Sequence, residues 1–303
     1  MIIEKKQNDM EKYMFNWTFF DSARLGLKQV LLSKDLKGKK ILLPAYVGYS
    51  ENEGSGVFDP IKDLDAEYVF YGMDRNLNIE LDSLKFKIKT NKNNILLIIH
   101  YFGFIDNNLL DIKEYAREYN MIIIEDFAHA FFTFWYNQII DFNYGIFSMH
   151  KLFPVDKGGM VLGNVELKGS ESKNYDLFNY NMKAISNKRI DNYLYILSII
   201  REKAKLHNII ILREQLNCVV PHNFPILLPK KSIRDRLYFK LNEEGYGVVS
   251  LYHSLIDEID DHFFVENEIS SKILNLPVHQ DAKKDNLGKM VDRIFSIITK
   301  YEF

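Results

Sequence analysis

Three short stretches of this 303-residue chain carry side chains that could do chemistry together. The stretch "IIIEDFAHA" ends an apolar run on Glu125 and Asp126, with His129 just beyond. The stretch "IFSMHKLFPVDKGGMV" brings Ser148, His150 and Lys151 close together, then reaches a Gly pair at Gly158 and Gly159. Near the start, "FFDSARLGL" sets Asp21, Ser22, Ala23 and Arg24 at the head of a helix-like run. A lysine amine can bond covalently to a carbonyl carbon, and a carboxylate in a crevice can hold a cationic ring nitrogen. A helix N-terminus beside a hydroxyl can seat a phosphate, because its first N–H groups lack partners and its dipole favours an anion. Taken singly, these residues have ordinary uses: a solvated turn lysine, a turn carboxylate, a hydrogen-bonded core histidine, an edge serine and a helix N-cap.

Their combination and order meet the demands of one cofactor, pyridoxal phosphate (PLP). It requires a lysine for its Schiff base, a carboxylate on the pyridinium nitrogen and a seat for its phosphate. Lys151, Asp126 and the helix headed by Ser22 supply one each. His150 competes with Lys151 for the first role. Neighbours on a strand point to opposite faces, so one of the two is expected to face the site. The distance to Gly158-Gly159 and the intervening "LFPV" favour Lys151, with His150 packed on the other side.

Such residues converge only if the elements carrying them end at one edge. "KKILLPAY" (39–46), "AEYVFYGM" (66–73), "NNILLIIHYFG" (93–103), "NMIIIEDFAHA" (120–130), "YGIFSMH" (144–150) and "GGMVLGN" (158–164) read as strands. Several are apolar throughout, as expected of parallel strands covered on both faces. "SARLGLKQVLLSKDL" (22–36) and "LLDIKEYAREYN" (109–120) read as helices between them. The alternation predicts an α/β fold with a mostly parallel central sheet. In such sheets ligands sit outside the carboxyl ends of the strands, where all three stretches fall. Residues 1–165 read as the large domain, 166–215 as a helical connecting segment and 216–303 as a small α+β domain. Within the last, "SIRDRLYFKLNEEGYGVVSLY" reads as a helix then a strand, and "ILNLPVHQD" leads into a final helix.

Composition narrows the classes further. An apolar fraction of 47% and a charged fraction of 26% are those of an ordinary soluble globular protein. A net charge of -2 offers no electrostatic case for nucleic acid or an anionic membrane. The single cysteine, Cys218, rules out an intrachain disulfide framework and reads as a buried small apolar residue. "MIIEKKQNDMEKYMF" has charges where a signal peptide needs an apolar core, and no run is long enough for a membrane span. A cytoplasmic protein with no metal site is expected.

Along most of its length the sequence resembles the DegT-type aminotransferases of fold type I PLP enzymes. "LLPAYVGYS", "IIHYFGFIDNNLLDIKEYAREYNMIIIEDFAHAFF", "IFSMHKLFPVDKGGMVLGN", "FPILLPKKSIRDRLYFKLNEEGYGVVSLYH" and "ILNLPVHQD" carry the likeness. It implies Lys151 as the Schiff-base lysine and Asp126 as the partner of the pyridine nitrogen. It implies His129 beside the ring, Ser148 on the phosphate, and Ser22 with the Ala23 and Arg24 backbone as the phosphate cup. The implied reaction moves an amino group from an amino acid, glutamate by family habit, to a carbonyl, in this family a nucleotide-linked keto-sugar. A homodimer is also implied.

The chain departs from the family pattern at several points. Ala23 stands where a Gly commonly follows the Ser, and Asn143 where an Asp is common. Gly48 stands where many members place an aromatic over the ring; Tyr46 or Tyr49 could substitute. These departures keep two alternatives open, a PLP-dependent sugar dehydratase and a non-catalytic homologue. The run "FFTFWY" (131–136) reads as core and interface packing, and His253 and His279 as loop residues near the cleft without a catalytic role.

Overall fold

The computed structural model describes residues 17–52, 54–92, 94–137, 141–163, 167, 169 and 179–301. The first 16 residues and most of the polar stretch opening the connecting segment lie outside the described residues. Seven strands form one sheet: β1 (Trp17–Phe20), β2 (Lys40–Pro44), β3 (Glu67–Tyr71), β4 (Ile95–Ile99), β5 (Ile122–Asp126), β6 (Tyr144–Ser148) and β7 (Gly159–Gly163). Their order is β1-β7-β6-β5-β4-β2-β3. Strands β2 to β6 pair in parallel, while β7 runs antiparallel to both of its neighbours. Every residue of β4 and β6 is buried, which is why these strands are apolar rather than alternating. Helices α1 (Ala23–Leu32), α2 (Asp59–Asp63), α3 (Leu81–Thr90), α4 (Leu109–Glu118) and α5 (Phe131–Asn137) intervene between the strands.

The topology brings the three chemical stretches to one edge. Strands β5 and β6 end there with Asp126 and Ser148. Because β7 is antiparallel it starts at that edge, Gly159 standing opposite Ser148. Strand β1 pairs with the other side of β7, Phe20 opposite Gly159, and so delivers Ser22 and the head of α1 to the same place. The sequence pattern did not mark β1, whose four residues are too few to show a period.

The remainder holds α6 (Met182–Leu206), β8 (Ile210–Ile211), β9 (Asn223–Leu227), α7 (Lys231–Glu243), α8 (Phe264–Lys272), β10 (Ile273–Pro277) and α9 (Lys284–Tyr301). Strands β10, β9 and β8 form an antiparallel sheet in that order. Two expectations fail here. The helical reading across "KLHNIIIL" is cut at Leu206: Asn208 takes a positive φ of 53° and the following isoleucines enter β8. The expected strand in "GYGVVSLY" reduces to one bridge between Val249 and Asn275, since Gly245, Gly247 and Tyr252 all have positive φ. One hydrophobic core runs through both sheets and the helices. Among the described residues no helix is long and apolar enough to cross a membrane. Nor are any three His, Cys, Asp or Glu side chains among them grouped to hold a metal ion.

Candidate active site

A cavity of about 640 Å³ opens at the carboxyl edge of the large sheet. It is lined by Ser22, Ala23 and Arg24, by Asp126 and His129, and by Ser148, His150 and Lys151. Of the site residues expected from sequence, only Tyr46 lies outside its lining. A second cavity, of about 510 Å³, runs from Asn76 and Asp106 to Val219 and holds none of them.

One side of the site is the head of α1. Ser22 caps the helix, its Oγ accepting a hydrogen bond from the Leu25 amide at 3.2 Å. The first N–H groups of any helix have no partner within it, so the cap leaves amides available to an anion. The Gly pair sets this side against β7. Gly158 has φ +140° and bridges to Ser22. A Cβ on Gly159 would lie 2.3 Å from both the Ala23 nitrogen and the Ser22 carbonyl carbon. Only a glycine lets the strand pass so close to the helix head. Arg24 pairs with Asp59 at 3.2 Å and stays partly exposed.

Strand β5 separates its two carboxylates. Glu125 points among buried groups, 2.5 Å from Lys113 of α4 and 2.8 Å from His100 Nε2 at the end of β4. Asp126 lines the cavity instead. Its Oδ1 accepts the Ala128 amide at 2.7 Å, and among the described residues it makes no ion pair. Burial pushes its pKa up, with the Ala128 amide and the Lys151 charge opposing. His129 follows, anchored by α5, whose Phe131, Phe132 and Phe134 are buried in the core. Each such phenylalanine contributes about 1.5–3 kcal/mol on burial. The "FFTFWY" run is thus largely core packing, as expected.

Lys151 lies in the turn after β6, with Nζ 3.3 Å from His129 Nε2. Burial, then the charge of Lys151, hold the His129 pKa well below the usual histidine range. His222 stacks on the His129 ring, with centroids 4.8 Å apart and planes 8° apart. His222 is likewise depressed, by burial and by Arg189. Neither His222 nor His100 was expected in the site. His222 comes from a loop with no pattern, whereas His100, ending a fully apolar strand, was a signal of the kind that marked Asp126.

Several expectations are corrected. His150 does not pack on the far side. It lines the cavity, with Nδ1 3.4 Å from Ser148 Oγ, because the chain has left the strand at Ser148 and alternation no longer applies. Tyr46 is fully buried beneath Tyr252, its ring 5.2 Å away, and does not reach the cavity. Cys218 is exposed rather than buried. Asn143 sits at the opposite edge of the sheet, where its Oδ1 accepts the Ile123 amide at 2.7 Å and splices β5 to β6. That departure from the family pattern is structural and remote from the cavity.

These residues fit PLP on three structural counts. Asp126 is a buried carboxylate facing the cavity without an ion-pair partner among the described residues, suited to a cationic N–H. The Gly159 approach holds a capped helix head open at the same cavity. A lysine amine stands beside a buried imidazole that faces the space between them.

The chain is similar to known proteins in part of its sequence and in its fold. Residues 55–173 match the DegT/DnrJ/EryC1/StrS aminotransferase family. The aminotransferase TlmJ of Streptoalloteichus hindustanus superposes with a TM-score of 0.73 at 16% identity, over 95% of this chain and 87% of that one. PseC of Helicobacter pylori, an aminotransferase involved in pseudoaminic acid biosynthesis, gives 0.73 at 14% identity, over 94% and 87%. A DegT DnrJ EryC1 StrS aminotransferase from Brucella abortus gives 0.70 at 15%, over 97% and 88%. At such identities the structures show a shared fold type I architecture. The matched segment carries Asp126, His129, Ser148 and Lys151, and over those residues the chain is similar to the DegT/DnrJ/EryC1/StrS aminotransferase family.

Proposed function

We propose that this chain is a PLP-dependent aminotransferase that takes its amino group from glutamate and delivers it to the carbonyl of a nucleotide-linked keto-sugar. The observation that carries the reading is the convergence of Lys151, His129 and Asp126 on the cavity that also takes in the head of α1. PLP, when bound, supplies an aldehyde carbon to take up nitrogen and a ring that draws electron density from the donor carbon. Lys151 would hold that aldehyde through Nζ; Asp126 would hold the ring N–H; Ser22, Ser148 and the Ala23 and Arg24 amides would hold the phosphate. Within each half-reaction the Lys151 amine, released when the donor's nitrogen replaces its own, would take a proton from the donor carbon as general base and give it up again as general acid. His129, kept neutral by its depressed pKa, can accept from or donate to Nζ at 3.3 Å without holding a charge in the buried site. Basic groups at the rim, Arg24, His150 and Lys157, suit a substrate carrying phosphates. They are partly balanced by Asp59 and Asp21.

A sugar dehydratase is the second reading, supported by His150 lying in the same cavity as Lys151. One spectrum separates the two. Purified protein given PLP should gain an absorption band near the visible edge, which glutamate should then abolish in a stoichiometric half-reaction. Persistence of the band with glutamate favours the dehydratase. Failure of the wild type to take up PLP ends both readings. A cytoplasmic homodimer belongs to the same proposal, and light scattering of the PLP-loaded protein tests the dimer.

A further inference from the structure

The loop between α7 and α8 inserts Tyr252 into the cavity, beside Asp126 and Lys151. Its ring sits in an aromatic box. It stacks on Tyr46, meets Tyr101 edge-on at 5.2 Å, and stands edge-on to His129 at 5.9 Å and 77°. To reach this place its backbone takes φ +60°, a left-handed conformation that tyrosine rarely adopts. Hydrogen bonds to the segment after β2 hold the loop there. The Tyr49 amide donates to Ser254 O at 3.0 Å, the Ile256 amide donates to Val47 O at 3.0 Å, and Gly48 bridges to Leu255 between them.

Gly48 is the other half of the arrangement. Its φ is outside the left-handed region, so backbone freedom does not account for a glycine there. Space does: a Cβ at position 48 would lie 2.8 Å from Tyr252 Cδ1. Burial and the Asp126 charge raise the Tyr252 pKa, so its hydroxyl stays an O–H donor at the site.

We propose that Tyr252 is an aromatic wall of the cofactor and substrate cavity, supplied by the C-terminal part of the chain, and that Gly48 is the position that admits it. This rests on the PLP reading above. Tyr252 acts as a positioning residue: it fixes the edge of His129 while His222 fixes its face, and it offers a flat apolar surface to a ligand ring.

The test uses full-length protein carrying Tyr252→Ala, Tyr252→Phe, Gly48→Ala and the Gly48→Ala/Tyr252→Ala pair. Each is titrated with PLP by absorbance, and each is unfolded in urea after removal of PLP. Tyr252→Ala should weaken PLP binding by about three- to tenfold, and Tyr252→Phe by less than about threefold. Gly48→Ala should lower the urea midpoint in the wild-type background and leave it unchanged where Tyr252 is already Ala. PLP affinity equal to wild type in Tyr252→Ala, or midpoint shifts that simply add, overturns this inference alone. A wild type that binds no PLP overturns the aminotransferase reading and the cofactor half of this inference. The urea coupling still decides whether Gly48 admits Tyr252.

Discussion

A lysine amine 3.3 Å from an imidazole that resists protonation has a partner able to relay a proton without storing charge. If Lys151 is the covalent anchor and the base, as proposed, Lys151→Ala should lower turnover by more than about 10³-fold and abolish the band near the visible edge. A variant that keeps the band would assign the anchor elsewhere, with His150 no substitute since it cannot form the same bond. At this scale much of the site was legible. Asp126, His129, Ser148 and Lys151 all lie at or just past the end of a conspicuous strand, and the structure brings them to one cavity. What escaped was any residue whose place depends on a loop's path. Tyr46 was expected at the site because it follows the Pro44 strand end, yet the chain turns there and buries it under Tyr252. His222 and Tyr252 arrive from distant loops, and no local period points to a side chain placed by tertiary packing.

Elements decide how close the site's parts can come. Parallel strands were readable because burial on both faces forces them to be apolar, whereas the short β1 and the bridge at Val249 carry no such imprint. The antiparallel β7 makes the Gly pair intelligible: it starts at the edge where the others end, and so must pass the head of α1. Gly159→Ala should therefore force strand and helix apart at a destabilisation of about 1–3 kcal/mol, and should weaken PLP binding if the head of α1 seats the phosphate as proposed. Gly56→Ala is the control, since a Cβ there meets nothing within 4 Å. Equal melting temperatures for the two variants would refute the close approach. A second element-scale prediction concerns the layer beneath the site. Lys113 and Glu125 are wholly buried, so Glu125→Gln strands an ammonium and should destabilise by about 3–5 kcal/mol. Adding Lys113→Met to Glu125→Gln should recover part of that loss in urea unfolding. A double variant worse than the single one would show that the pair is not the source.

Across the whole molecule the buried imidazoles tie stability to pH. His129 and His222 both hold pKa values well below the usual range, chiefly through burial. In the unfolded chain they titrate near pH 6.5, so below that pH the unfolded state binds protons that the folded state refuses. Stability with PLP removed should then be greatest near neutrality and decline as pH falls from about 6.5, by up to about 2.7 kcal/mol per pH unit if both groups contribute fully. Asp126 works in the opposite sense. Its raised pKa means the folded state takes up a proton before the unfolded one, which adds stability as pH falls toward the ordinary carboxylate range. The net loss should accordingly set in as pH falls through the ordinary histidine range and become shallower toward the ordinary carboxylate range. Urea midpoints measured at pH 7.5, 6.5 and 5.5 would show it, and His222→Asn should remove about half of the slope. Lys151→Met should reduce the slope further, because the charge that helps suppress His129 protonation is gone. If the His129→Asn/His222→Asn double variant lost stability with acid as steeply as the wild type, the stacked pair would not be the sensor, and the coupling between site and fold would have to lie in other groups.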